Sequence, residues 1–196
     1  MDAIASPHLR SRSNAGSEAR SLRGRDPSDP VRQTVEVAQR GRMILDVAEA
    51  DLEASEARLG AFHETTWFFR NALAEARQAW DRLRAEYGSR ALDAALMQPP
   101  VVVLTLGGGA GNQPTAKLVP IVGKTYRVER VLGTELAPVQ FRLTCLPLSE
   151  NGPYYVCRLQ DGQVQCDCGE WIYRNADTPD PSLCKHLAAL MALGWL

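Results

Sequence analysis

The sequence predicts an α+β protein: an N-terminal helical coiled coil or hairpin, a small antiparallel β region, and a ββα unit at the end. Three observations predict it. No proline interrupts residues 31–98, where apolar residues recur at heptad spacing. From Lys124 the texture changes to short runs rich in β-branched and aromatic residues. Near the end, Cys166, Cys168, Cys184 and His186 form two matched pairs, Cys-x-Cys and Cys-x-His.

Composition bounds the reading. With 196 residues, 45% of them hydrophobic and 23% charged, the chain holds one ordinary domain with an extension or two small modules. No apolar run approaches the roughly 20 residues needed to span a bilayer, and no membrane role is expected. The start, MDAIASPHLRSRSNAG, lacks the apolar core of a secretory signal. A cytoplasmic setting is therefore expected, where thiols stay reduced and clustered cysteines are metal ligands or catalytic groups. The net charge of -1 hides little segregation: residues 1–29 carry five basic and four acidic groups, residues 30–98 nine and eleven, residues 99–196 eight and eight. Phosphate neutralisation needs a basic surface, and counting along the chain finds none.

Residues 1–29 mix Ser, Arg, Gly, Pro and Asp without period and read as a disordered arm, in which His8 and the arginines are solvated. Asp29-Pro30 then reads as an N-cap followed by proline at the first helical position. With Val31 as position a, the a series runs Val31, Ala38, Leu45, Leu52, Leu59, Thr66, Leu73, Trp80, Tyr87. The d series includes the small Gly41, Ala48 and Ser55 and the bulky Phe69 and Leu83. Folding back around His63 opposes Glu56 to Arg70 and Glu49 to Arg77, so GAFHETT over residues 60–66 is the expected tip. A continuous helix in an antiparallel homodimer through residues 30–98 would use the same pairs. Arg42 against Arg84 counts mildly against both arrangements.

Pro99-Pro100 ends the helices. Residues 99–123 are expected to form a strand and a Gly/Pro linker. VVVLTLGGGAGNQP resembles a phosphate loop only superficially, because no Lys-Ser or Lys-Thr follows its glycines and Pro114 and Pro120 obstruct a helix. Residues 124–196 form the β-rich region. Asp161-Gly162 marks its last hairpin, and Cys145 and Cys157 lie in strands as buried structural thiols.

Cys166 and Cys168 sit two apart where a strand ends and project as a clamp. Cys184 and His186 open a segment whose Leu187, Leu190 and Met191 follow helical spacing. Cys184 must lie at the helix boundary for both to face the first pair, with Ser182 or Asp180 available to cap. Three thiolates and one imidazole suit tetrahedral Zn2+ in a closed, structural site. Redox chemistry would use Cys-x-x-Cys at a helix start, and a deaminase His-x-Glu with Pro-Cys-x-x-Cys; neither occurs. Trp171 is expected to cover the metal or pack on the helix, Arg174 to be available to a partner, and Lys185 to point to solvent.

Cys-x-Cys, fifteen intervening residues, and Cys-x-His before an Ala- and Leu-rich helix resemble the SWIM-type zinc finger over residues 154–194. That family occurs in helicase-like ATPases, transposases and ubiquitin-related factors. The resemblance implies two strands and a helix, with Cys166, Cys168, Cys184 and His186 as zinc ligands. It also implies recognition of protein or nucleic acid, and the balanced charge tilts the expectation toward protein. The chain is accordingly read as a non-enzymatic adaptor, with a zinc-dependent enzyme or a purely structural zinc site as the alternatives.

Overall fold

The computed structural model describes residues 29–106, 116–147, 152–175 and 182–196. The arm expected over 1–29 lies outside these residues except for Asp29, as do the glycine run after Leu106 and Asp180.

Asp29 starts the first helix as its sequence requires. Its carboxylate accepts a hydrogen bond from the Val31 N–H at 2.9 Å, and proline occupies the first helical position, where its missing N–H costs no bond. Helix α1 spans Pro30–Leu59, and Gly60 ends it at φ 85, a conformation that glycine adopts without Cβ strain. Helix α2 spans Glu64–Tyr87 and α3 Ser89–Leu96. The chain thus turns back on itself as a hairpin, not a continuous helix. His63, expected to be solvated at the tip, also caps α2: its Nδ1 accepts from the Thr65 N–H at 3.2 Å.

The two helices meet as the seam predicts. Arg70 pairs with Glu56 at 2.6 Å and Arg77 with Glu49 at 3.3 Å. Both pairs are partly exposed, so each contributes well under about 1 kcal/mol and fixes register more than stability. A Cβ on Gly41 would come within 2.7 Å of Leu83 Cδ1 and 3.2 Å of Trp80, so the small residue admits the bulky pair. Near the tip, the buried Ser55 and Thr66 hydroxyls lie 2.9 Å apart, and Thr66 also donates to the Gly60 carbonyl. The apparent clash of Arg42 with Arg84 does not occur. Arg42 pairs with Asp46, while Arg84 lies over the Trp80 ring.

Six strands form one antiparallel sheet in chain order: β1 Leu104–Thr105, β2 Lys117–Ile121, β3 Lys124–Val131, β4 Val139–Leu146, β5 Tyr154–Arg158 and β6 Val164–Cys166. Within 99–123, where a strand and a Gly/Pro linker are expected, the described residues hold two strands, β1 and Lys117–Ile121, the second despite Pro120. Pro120 faces Thr125 one position from the Ile121–Lys124 closing pair, so alternation turns its ring nitrogen away from β3 and toward a flank that β1 is too short to reach. Val122 and Gly123 make the connecting turn with φ 47 and 72, and the Gly123 N–H donates to the Leu96 carbonyl at the end of α3.

The sheet separates two packing layers. On one face, Leu118 meets Met43 and Val102 from the helical side. On the other, Tyr126, Val128, Phe141, Leu143 and Val156 pack with Leu187 and Leu190 of a C-terminal helix. Helix α1 therefore buries two faces, one against α2 and one against the sheet. Gln39 and Asp46 lie on the second, both fully buried. Gln39 Nε2 donates to the Gln98 and Pro99 carbonyls and its Oε1 accepts from the Val101 N–H, while Asp46 Oδ2 accepts from the Thr125 N–H at 3.1 Å. Burial raises the Asp46 pKa, against the opposing pull of Thr125 and Arg42. Its ionised form is thus the costlier one in the fold, and the stability it confers falls as pH rises.

Two outcomes follow from these contacts. Gln39→Ala strips three backbone groups of their partner and should lower unfolding stability by about 2–4 kcal/mol in urea titration; an unchanged midpoint would show that the hairpin docks without it. Val122→Asn relieves a β-branched residue of left-handed geometry and should raise stability by about 1 kcal/mol, visible as a higher melting temperature.

Candidate metal centre

The strand order brings the two ligand pairs together. Cys166 ends β6 opposite Val156, and Cys168 follows just beyond the strand. A short helix, α4 (Gly169–Asn175), begins immediately after it, which the expectation of two strands and one helix did not include. Helix α5 spans Lys185–Ala192 with Cys184 as its N-cap residue in extended backbone, so Cys184 stands at the boundary and His186 in the first turn. Cys184 makes no side-chain capping hydrogen bond of its own.

All four candidate ligands are buried, and their ligand atoms lie within 4.8 Å of one another. Among the described residues they are the group of His, Cys, Asp and Glu side chains placed to hold a metal ion. His186 Nδ1 is 3.8 Å from Cys166 Sγ, and its Nε2 is buried without a hydrogen-bond partner. Three thiols and an imidazole sunk into an apolar cluster are poorly served by one another, because S–H groups are weak donors. A soft divalent ion is the partner that this donor set fits.

Backbone N–H groups orient the sulfurs. The Cys168 N–H points to Cys166 Sγ at 3.5 Å and the Trp171 N–H to Cys168 Sγ at 3.4 Å. Helix α4 is thus a cradle as well as a connection, since its first turn supplies a donor to a ligand sulfur. The Cys166 thiol donates to Cys184, and with help from His186 and the Leu187 N–H this holds the Cys184 thiol down at about 4 despite its burial. Cys166, as the donor in a buried site, is pushed up, and burial raises Cys168. A metal ion takes sulfur as thiolate, so binding to this cluster releases protons and weakens as pH falls.

Neighbours that sequence reasoning did not single out complete the site. The Asp167 carboxylate accepts from the Tyr155 N–H at 2.7 Å while its own N–H donates to the Tyr155 carbonyl, locking the end of β6 to β5. Glu170 accepts from the Lys185 N–H at 3.5 Å and pairs with Arg174, tying α4 to the start of α5. Tyr154 and Tyr126 flank the His186 ring at 4.6 and 5.1 Å between centroids. Only the Asp between two cysteines carried any sequence signal, because the partners of the others depend on register. Trp171 packs against the core, as expected. Cys145 is buried, whereas Cys157, expected to be so, is half-buried: it follows Val156 and therefore points to the opposite face. All five cysteines are free.

Alkylation should read this arrangement directly. In the native chain a maleimide should modify Cys157 first, and Cys166, Cys168 and Cys184 should react only after a chelator is added. Equal reactivity of all four before chelation would show that the cluster is open.

The comparisons agree with the geometry. Residues 155–193 match the family model of the SWIM zinc finger. That span begins within β5 and ends one residue beyond α5, and it contains all four candidate ligands. No curated protein and no solved structure matches the chain.

Proposed function

We propose that the protein is a non-enzymatic interaction module whose fold is completed by one Zn2+ ion bound to Cys166, Cys168, Cys184 and His186. The observation that carries this reading is closure: four buried protein donors converge on one point, which fills a tetrahedral coordination sphere. Catalytic zinc keeps a position for water or substrate, and a sphere of four protein ligands does not. Thiolate-rich sets favour Zn2+ among common divalent ions. The setting that suits reduced thiolates is the cytoplasm; among the described residues no helix is long and apolar enough to cross a membrane.

The helical hairpin is the docking element in this reading. Its tip exposes Phe62, Trp67 and Phe68, large apolar side chains whose burial against a partner would be favourable. The finger, fastened to the far face of the sheet, presents a second surface. Two surfaces on one rigid sheet make an adaptor.

Native mass spectrometry should find one zinc per chain. Cys184→Ser should abolish it and remove hydrogen-exchange protection from β6 and α5, because structural zinc supplies on the order of 10 kcal/mol of folding free energy in small fingers. The hairpin, held by its own core, should stay protected. Retained zinc and fold with loss of a hydrolytic or transfer activity would instead establish a catalytic centre.

A further inference from the structure

We infer that a cleft on the finger side of the sheet binds the phosphate backbone of a nucleic acid, with Lys117, Arg130 and Arg158 as the phosphate ligands. The inference rests on the interaction-module reading above and supplies its partner class. The three cations are scattered through the sequence, and only the strand register gathers them. Lys117 of β2 faces Val128 of β3, and Arg130 is two residues further on, so the two are diagonal neighbours on one face. Arg130 faces Phe141, and Arg158 of β5 faces Val139 two residues away. Strand spacing and rise put their Cα atoms about 8 Å and then about 12 Å apart, a diagonal run too long for one small anion.

All three line a single cavity of about 510 Å3, floored by Phe141 and Trp195, and among the described residues no Asp or Glu lines it. Among the described residues the ion pairs engage Arg40, Arg42, Arg70, Arg77, Arg127, Arg142 and Arg174, and none of the cleft cations. The contrast with the opposite face is direct. There Arg127 and Arg142 share the buried Glu129 carboxylate, which they neutralise. In the cleft, three cations gather with no carboxylate among the described residues that line it, which raises the local concentration of anions.

The cleft is also shaped in advance. Lys117 Nζ lies 4.7 Å above the Trp195 ring, and that ring stacks on Phe141 at 5.8 Å. A lysine held in this way loses less entropy on binding than a free one. Trp195 is itself placed by α5: its N–H donates to the Leu190 carbonyl after a turn at Gly194, φ 69. Because Cys184 and His186 hold the start of α5, the metal centre and the cleft are one unit. Three cations spaced along a diagonal of one rigid sheet suit the regularly repeated phosphates of a nucleic-acid strand.

Fluorescence anisotropy of the full-length, zinc-loaded chain with short labelled single-stranded DNA, single-stranded RNA and duplex DNA tests this across a salt series. Three phosphate contacts predict a log–log salt slope of about -2 for a single strand and about -2.7 for a duplex. The triple variant Lys117→Gln, Arg130→Gln, Arg158→Gln should lose at least about tenfold in affinity at low salt and most of the slope, with zinc content and melting temperature unchanged. No binding of any oligonucleotide at low salt, equal binding by the triple variant, or equal displacement by poly-glutamate would each overturn the assignment. Zinc is quantified on the same samples, so a zinc-loaded chain that ignores nucleic acid refutes the cleft alone, whereas a chain without zinc refutes the module reading and leaves the cleft judged by its own titration.

Discussion

The convergence of Cys166, Cys168, Cys184 and His186 is the constraint on which the C-terminal half depends. Helix α5 has eight residues, and a helix of that length has marginal stability in water. Strand β6 has three residues and an open edge. Neither element persists by local propensity, and each supplies half of the ligand set. Leu187 and Leu190 pack against Tyr126, Leu143 and Val156, which makes the finger one layer of the sheet's core, and an ion shared by the four donors would hold it there.

The helical half solves a different problem with different means. Its seam is ordinary apolar packing, but α1 must also lie on the sheet, and there the attachment is polar. Gln39 and Asp46 reach backbone groups of the 98–101 connection and of β3, and the bond from Asp46 to the Thr125 N–H is fully buried. Such bonds contribute little net free energy when made and cost much when broken. They therefore select one docking geometry among the many that hydrophobic contact alone would tolerate.

The two faces of the sheet consequently carry charge in opposite styles. Beneath the hairpin, Glu129 is buried, yet Arg142 and Arg127 hold its carboxyl below the usual range. Burial alone would push it up, and the paired arginines win. On the finger side Lys117, Arg130 and Arg158 line one cleft with an aromatic floor, and among the described residues no carboxylate lines it. Balanced composition thus coexists with local imbalance, because folding redistributes charges that the sequence intermixes.

Much of this was legible in the sequence. The proline-free heptads, the Asp29-Pro30 cap and the opposition of Glu56 to Arg70 and Glu49 to Arg77 are local or evenly periodic, so they specify a hairpin without knowledge of the rest. The two ligand pairs are equally local, and their chemistry names their common partner. What the sequence left undecided depends on register and on second faces. Pro120 argues against a helix, but that it fits a strand is decided by the short reach of β1, which leaves its side of the ladder without a demand for an N–H. Gln39, Met43 and Asp46 looked like outward heptad positions until the sheet covered them. Asp167, Glu170 and the cleft cations acquire partners, or lack them, only through pairings between distant strands. Periodicity reports how one element meets its first neighbour, and the tertiary structure decides what meets its second.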